Sequence, residues 1–380
     1  MRRSSEKILT THVGALPGDE AVWSGAASDE EMRRAVDEVV GHQIGCGVDV
    51  VNEGELTKGG NWVTFVNDRM TGFEPRQLGA MGRLLVESRD WVEFDDFYDA
   101  AMKHGVLFED TGAAPSQARN YDWVCTGPIE YRGQAALERE IGLLKSALGD
   151  KPASDAFLTS TAPASIEAGR INEHYGSEEE FVFAIADALS VEYEAIARAG
   201  LILQVDDAWL AALWDRIGVG MGLEGYRRYC MMRVEALNHA LRKVPEEQVR
   251  YHMCWGSWHG PHAHDIPLPD MVEVLLAIKA GAYLIEAANV RHEHEAAVWE
   301  RVRLPEGKIL APGVVSHSTK LIEHPELVSS RIQRFARMVG RENVIASTDC
   351  GLGLRCHPQI AWAKLKTLSE GAALATKALW

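Results

Sequence analysis

The chain has no basic run, no apolar stretch approaching the length of a membrane span and no framework spacing among its cysteines, and each absence removes a class of function. A net charge of −16 over 380 residues opposes binding to a polyanion, which needs clustered Lys and Arg to displace counterions. Nucleic acid is therefore not an expected partner. Nor is a membrane, because a spanning helix requires roughly 20 consecutive apolar residues. After the basic Met1-Arg2-Arg3 the apolar stretch is short and is interrupted by His12 and Pro17, which fits a signal peptide poorly. The six cysteines (Cys46, Cys125, Cys230, Cys254, Cys350, Cys356) read as reduced thiols of a cytoplasmic protein rather than as disulfides. A dinucleotide fingerprint is also missing: Gly351-Leu352-Gly353 lacks the surrounding strand, glycine-rich turn and helix. With 46% hydrophobic residues the chain can bury one large core or two moderate ones.

What is present is a recurring junction in which an amphipathic helix ends at glycine and a short apolar strand begins at once. It occurs at Gly47 before Val48–Val51, Gly200 before Leu201–Val205, Gly281 before Ala282–Ile285, and Gly340 before the strand leading to Cys350. Glycine relaxes the left-handed turn after a helix, and near-continuous apolar strands imply burial on both faces. Helix starts are marked too: Ser177 with Glu180 and Asp270 with Glu273 have capping-box spacing, and Pro325 suits a first helical turn. The strand candidates Ile8–Thr11, Phe157–Thr159, Tyr251–Met253 and Ile309–Pro312 bring the total to eight, separated by helical segments. The expected fold is α/β, a single (β/α)8 TIM barrel over residues 1–380, with a doubly wound open sheet as the alternative. The stretch after the second strand, about residues 54–150, is too long for a loop. An inserted helical segment is expected there, with Trp91, Phe94, Phe97 and Tyr98 on the barrel rim and a hairpin near Trp123–Glu130.

In such barrels the reactive groups stand at the C-terminal ends of strands. His12, Glu53, Glu55, Asp206, His252, Cys254, Glu286 and Cys350 all fall at or just beyond those ends. His252 and Cys254, two positions apart in one strand, point the same way. With Glu286 and Cys350 they offer one ion two thiolates, an imidazole and a carboxylate, a soft set that favours Zn2+ over Mg2+ or Ca2+. Taken singly, each also reads as a core cysteine or a hydrogen-bonded histidine. The tract Trp258–His264 reads as a loop over the site mouth, with a second metal site as the alternative. Cys356-His357 could replace Cys350 but lies farther into the loop; Arg291–Glu295 reads as a solvated helix start, and Glu178-Glu179-Glu180 as a helix N-terminal turn.

His252-Met253-Cys254, Ile285-Glu286-Ala287 and Asp349-Cys350-Gly351-Leu352 resemble the zinc-ligand motifs of the cobalamin-independent methionine synthase family, in its C-terminal catalytic barrel. The resemblance runs through most of the chain. Thr10–Gly14 resembles the family's opening strand, Gly54-Glu55 its loop for the amino group of homocysteine, and Gln204-Val205-Asp206 a further substrate-binding strand. It implies substrate-binding roles for His12, Gly14, Ala15, Glu55 and Asp206, and a proton-donating catalytic role for His317, which is one residue out of step with the family's histidine in a gapless comparison. Other departures are Val13-Gly14-Ala15 for the family's Ile-Gly-Ser, Glu53-Gly54-Glu55 for His-Gly-Glu, and no N-terminal folate-binding barrel.

The implied activity is zinc-dependent transfer of an alkyl (methyl) group from an alkyl donor to a small thiol, forming a thioether. A branch of the same family, epoxyalkane:coenzyme M transferase, supplies a second reading in which the thiol opens an aliphatic epoxide, with Lys58 and Arg291 as trial sulfonate partners. A third reading is a metal-free decarboxylase of the uroporphyrinogen decarboxylase type, or a noncatalytic zinc-binding barrel. A homo-oligomer and a monomer both remain open.

Overall fold

The computed structural model describes residues 1–59, 64–76, 88–107, 122–153 and 155–380. In chain order its strands are β1 (Leu9–Thr10), β2 (Val50–Val51), β3 (Phe73–Arg76), β4 (Asp122–Cys125), β5 (Asp155–Thr161), β6 (Arg170–Asn172), β7 (Ile202–Asp207), β8 (Val249–Met253), β9 (Ala282–Ile285), β10 (Ile309–Val315) and β11 (Ile345–Thr348). Eight of them form one sheet in the order β1-β11-β10-β9-β8-β7-β5-β2, and every pairing in it is parallel. These are the eight strands expected from the glycine junctions and apolar runs.

The sheet curls until its first and last strands meet. Leu9 pairs with Ile345 and Thr10 with Ala346. Across the remaining seam the Asp49 amide donates to the Thr10 carbonyl at 3.1 Å, and the Thr11 hydroxyl donates to the Val50 carbonyl at 3.0 Å. An open doubly wound sheet would leave its two edge strands apart, whereas here β1 and β2, the ends of the strand order, are bonded to each other, so this closure decides for the barrel. Gly47, Gly200 and Gly340 enter their strands with φ of 85°, 78° and 91°, as a left-handed helix terminus requires. Gly281 serves differently: a Cβ there would collide with the Glu246 carbonyl, so the position is set by close backbone approach.

Alternation along each strand divides the core. Leu284 joins Leu9, Ala311 and Ile345 inside the barrel, whereas its neighbours Tyr283 and Ile285 face the helical layer. Each such buried side chain contributes about 1.5–3 kcal/mol of burial free energy. Arg250 crosses the barrel interior, donating to Gln204 Oε1 (2.7 Å), Thr11 Oγ1 (2.9 Å) and the His12 carbonyl (2.8 Å) while lying over the Phe157 ring. Its charge is thus spread over neutral acceptors that hold three strand ends in place.

Between β2 and β5 the chain carries the helices Arg89–Glu93, Asp95–His104 and Gln134–Leu148 and two strands, β3 and β4, of a small second sheet whose third strand, β6, follows β5. There β4 runs antiparallel to β3 and parallel to β6, so Asp122–Cys125 is a central strand and not half of a local hairpin. Trp91 stacks on Tyr98 at 4.4 Å, and Trp91 and Phe94 pack with Tyr98 beside Trp258; Phe97 is 42% exposed. Ser177 accepts from the Glu180 amide as expected, and Pro325 opens the helix Pro325–Val339. Asp270 does not cap: it lies inside Leu268–Leu276, which begins after Pro267. Among the described residues no helix is long and apolar enough to cross a membrane, and the six cysteines are free thiols.

Candidate metal centre and cavity

Strand β8 carries His252 and leads directly to Cys254, and β11 leads to Cys350. The ligating atoms of these three side chains all lie within 4.8 Å of one another. The two sulfurs are 3.9 Å apart, far beyond the roughly 2.05 Å of a disulfide and close to the ~3.8 Å that two thiolates span on one tetrahedral zinc. His252 Nδ1 bonds Asp206 Oδ1 at 3.0 Å, and its buried Nε2 has no hydrogen-bond partner. A buried ring nitrogen left unpaired is costly. Here it sits in a group with two thiols, and the carboxylate on its other nitrogen fixes tautomer and ring orientation as metal-binding histidines require. The donor set fits a zinc ion.

Charge is already skewed within the trio. The hydrogen bond with Cys254, then the nearby His252 and Arg355 charges, bring the Cys350 thiol down to about 6, while that same bond and burial push Cys254 well up. Burial works against an imidazolium at His252, but the Asp206 bond and charge outweigh it and raise its pKa.

Glu286, just past β9, is the fourth expected ligand. It borders the trio: its Oε1 accepts from the Trp255 amide at 3.0 Å and its Oε2 from Asn289 Nδ2 at 2.7 Å. Its carboxylate forms a second group with His317 and Asp349, also within 4.8 Å. Burial lifts Glu286 to about 7 and Asp349 to about 6, the latter despite two backbone amides, Ala287 and Ala288, donating to its Oδ1. His317 is buried just beyond β10; burial first, then the surrounding Arg355 and histidines, hold its pKa well below 6.5. The expectation of a proton donor thus meets an imidazole that is neutral at rest.

A cavity of about 190 Å³ opens onto the trio, lined by His252, Cys254 and Cys350 together with Val13, Ala15, Glu55, Asp206, Trp209, Trp258 and Arg355. Glu55 reaches it from a left-handed backbone conformation, φ 57° and ψ 22°, uncommon for a residue with a Cβ. Burial, then the facing Asp206 charge, push Glu55 up to about 8. Gly14 does not line the cavity, but a Cβ there would collide with Glu55 Oε1, so the glycine makes room for that carboxylate.

His12 is not brought to this mouth. Because Val13 faces the cavity, the preceding residue points the other way, and His12 Nε2 pairs with Gln43 Oε1 at 2.7 Å behind the sheet; burial takes it down to about 3. Lys58 is committed to Glu53 (3.3 Å) and Glu140 (2.9 Å), and Arg291 donates to the Ala263 carbonyl on the surface, so neither trial cation lines the cavity. Arg291–Glu295 does open a short helix, Glu293–Glu300, with Arg291 and His294 exposed, but it is not solvated throughout: His292 is buried beside Trp255, bonding Asp265 at 3.2 Å and Glu295 at 2.9 Å. In the histidine tract, Trp258 lines the mouth, while His262 pairs with Asp265 and His264 with Glu93. Cys356 donates to the His317 carbonyl and belongs to neither ligand group.

Arg355 went unrecognised in the sequence. It lies five positions beyond Cys350, past the strand end, and its signal was an arginine in the very loop that carries a candidate ligand.

Two relatives align with nearly the whole chain. A methionine synthase of Saccharolobus solfataricus is 24% identical over 380 residues, covering 96% of this chain and 93% of that protein. A 2-hydroxypropyl-CoM lyase of Xanthobacter autotrophicus is 23% identical over 414 residues, covering 98% and 96%. The B12-independent methionine synthase of Shewanella sp. W3-18-1, solved with selenomethionine, superposes with a TM-score of 0.71 at 19% identity over 98% of this chain and 99% of that one, which establishes the shared fold. Residues 144–373, the span from before β5 to within the last helix, match the cobalamin-independent synthase catalytic domain; the chain is a member of that family.

Proposed function

We propose that this protein transfers an alkyl group, in the first instance methyl, to a small thiol, with zinc held by His252, Cys254 and Cys350 and with Glu286 as the adjoining carboxylate ligand. The observation that carries the reading is the trio itself: two thiols 3.9 Å apart beside a buried imidazole nitrogen with no partner, at the floor of a cavity. Zinc, when bound, supplies the Lewis acidity that keeps a substrate thiol as thiolate at neutral pH, where a free thiol of pKa about 8.5 is mostly protonated.

The protein's own groups do the rest. Asp206 orients His252 through Nδ1, and Asp206 with Glu55 lines the mouth as an acidic pair for the amino group of an amino-acid thiol. A cation arriving between them stabilises the ionised form of Glu55 and reverses the effect of its burial. The thiol's proton leaves to solvent as the thiolate binds, and His317, neutral at rest, then passes a proton from solvent to the departing atom, assistance worth typically about 10²–10⁴-fold in rate. The alternative electrophile, an aliphatic epoxide, is favoured by the full-length similarity to the 2-hydroxypropyl-CoM lyase. Family membership favours both transferase readings over a metal-free decarboxylase. We place the protein in the cytoplasm as a single catalytic unit, the 54–150 segment being an insertion on the barrel.

The test is a panel of homocysteine, coenzyme M, glutathione and cysteine titrated against the zinc-loaded protein while proton release is followed. One thiol is expected to bind with release of about one proton per chain. Absence of release across the panel, or failure of the protein to take up zinc, overturns the reading.

A further inference from the structure

Trp258 stands between two parts of the molecule. On one side it lines the cavity over the thiol trio, together with Gly256, Ser257 and Trp209. On the other it packs with Tyr98, Trp91 and Phe94 of the inserted helices. Polar ties from the insertion hold the loop 256–264 in place. Trp258 Nε1 donates to the Tyr98 hydroxyl at 3.2 Å, and that hydroxyl donates to Asp90 Oδ2 at 2.7 Å. The same buried carboxylate accepts the His262 amide at 3.1 Å and the Ala263 amide at 2.8 Å. Farther along, the His259 amide donates to the Leu107 carbonyl at 2.8 Å, and His264 Nε2 meets Glu93 Oε2 at 2.6 Å.

The sequence of the loop explains why it needs these ties. Gly256 is left-handed, with φ 96°, and a Cβ there would collide with the Trp258 ring; a Cβ at Gly260 would collide with both that ring and the Tyr98 hydroxyl. The indole is seated only because the loop gives up side chains on both sides of it, and two glycines leave a free loop much conformational entropy to lose. The insertion supplies the restraint. Nor does the indole have room to retreat. Beside Trp209 and Trp258, toward Asp90 and His262, lies a hollow of about 10 Å³, enough for about one water molecule and far too small for an indole. A movement of Trp258 that widens the mouth must therefore break its bond to Tyr98.

We infer that Asp90 and Tyr98 are positioning residues that hold Trp258 as a wall of the mouth, so that the insertion sets how wide a molecule can reach the thiol trio. Among the described residues none of 89–107 lines the cavity, so this control is exerted wholly through Trp258. It concerns passage, and is independent of which ion the trio holds and which alkyl donor it serves.

The experiment labels the full chain, as purified, with N-methylmaleimide and N-pyrenylmaleimide, which share a reactive group and differ in width. Cys254 and Cys350 are read by peptide mass, separately from the half-buried Cys46. Both reagents attack the same two thiols, so metal occupancy and thiol reactivity cancel in the ratio of their rates. Tyr98→Phe keeps the ring stack on Trp91 and removes the tie to the indole. It is expected to raise the pyrenyl rate about threefold to tenfold, as loss of one neutral hydrogen bond allows, and to leave the methyl rate unchanged. Trp258→Ala is expected to raise the pyrenyl rate at least as much, and Tyr98→Phe then adds nothing in that background, because the wall it positions is gone. Should circular dichroism show that Tyr98→Phe disturbs the fold, Asp90→Asn, at the other end of the same tie, takes its place in the comparison. Equal acceleration of both reagents, an effect of Tyr98→Phe that persists when residue 258 is already alanine, or a pyrenyl rate that these substitutions leave unchanged overturns the inference. The thiol titration above decides the transferase reading separately, whatever the labelling shows.

Discussion

Two buried polar clusters lie within this barrel, and they differ in how their charges are met. Around Lys58 each cation is held between two carboxylates: Lys58 by Glu53 and Glu140, and Arg69 by Glu140 at 3.1 Å and Glu192 at 3.0 Å. The cluster sets two cations against three carboxylates, and burial raises the pKa of Glu53, the carboxyl whose Oε2 is left over. In the trio His252, Cys254 and Cys350 the polar atoms face one another without completing one another, and His252 Nε2 is left over. Both clusters are rich in ionisable residues and both are buried, so neither composition nor burial tells them apart. Each leaves one buried atom over, and the distinction is its setting: Glu53 Oε2 belongs to a carboxyl group whose other oxygen is paired with Lys58, whereas His252 Nε2 is grouped with two thiols on a cavity, the set suited to bind something further.

That contrast can be broken most severely at the trio. Cys254→Ser should reduce bound zinc from about one per chain to under about a tenth after gel filtration, abolishing alkyl transfer while leaving the fold in place. Elemental analysis with circular dichroism checks it, and retention of a full equivalent of zinc would mean that the trio is not the metal site. Next in size is Lys58→Met, which strands Glu53 in the interior and leaves Glu140 to Arg69. It should cost about 3–5 kcal/mol of stability in urea unfolding yet leave zinc stoichiometry unchanged; a neutral result would mean that the network contributes nothing to the fold.

The smallest effect concerns pH. Glu55 is raised to about 8 in the folded chain by burial, then Asp206, from an ordinary value of 4.5. A carboxyl raised in this way binds its proton more tightly folded than unfolded, so stability falls as pH rises from about 4.5 to about 8 and is flat above. Glu286 and Asp349, raised to about 7 and 6, slope in the same direction. Urea midpoints at pH 5 and pH 8 should therefore differ less in Glu55→Gln than in wild type, and an identical difference in the two proteins would refute the shifted carboxyl.

Much of this was legible in the sequence because the signals were local. Glycine followed by a near-continuous apolar run marks a strand buried on both faces, and the parity of His252 and Cys254 gives their common direction without any tertiary information. The small sheet was not legible. Its strand β3, Phe73-Glu74-Pro75-Arg76, has no alternating pattern and contains a proline, tolerated because it lies at the sheet edge; its partner is some fifty residues away. His12 was misplaced because the strand-end rule locates a residue along the barrel axis and says nothing about which side of the strand it leaves. Arg355 was missed for the converse reason, since a loop residue returns to the cavity only when the loop is tied down, and the Ala15 carbonyl that ties it belongs to the far end of the chain.

The pairing of β1 with β11 has a kinetic consequence. Its contacts span nearly the whole chain, as in the Val13 amide donating to Thr348 Oγ1 across 335 positions, and contacts of that span carry the largest loop-closure entropy of any in the barrel. Cys350 arrives with this final strand, 96 positions after Cys254. During synthesis His252 and Cys254 emerge long before the second thiol, so the chain passes through a period with half a binding site and an unsealed sheet edge. An ion captured by the completed trio would bridge β8 to β11 and act as a latch on a barrel that has already closed, binding late and slowing its reopening.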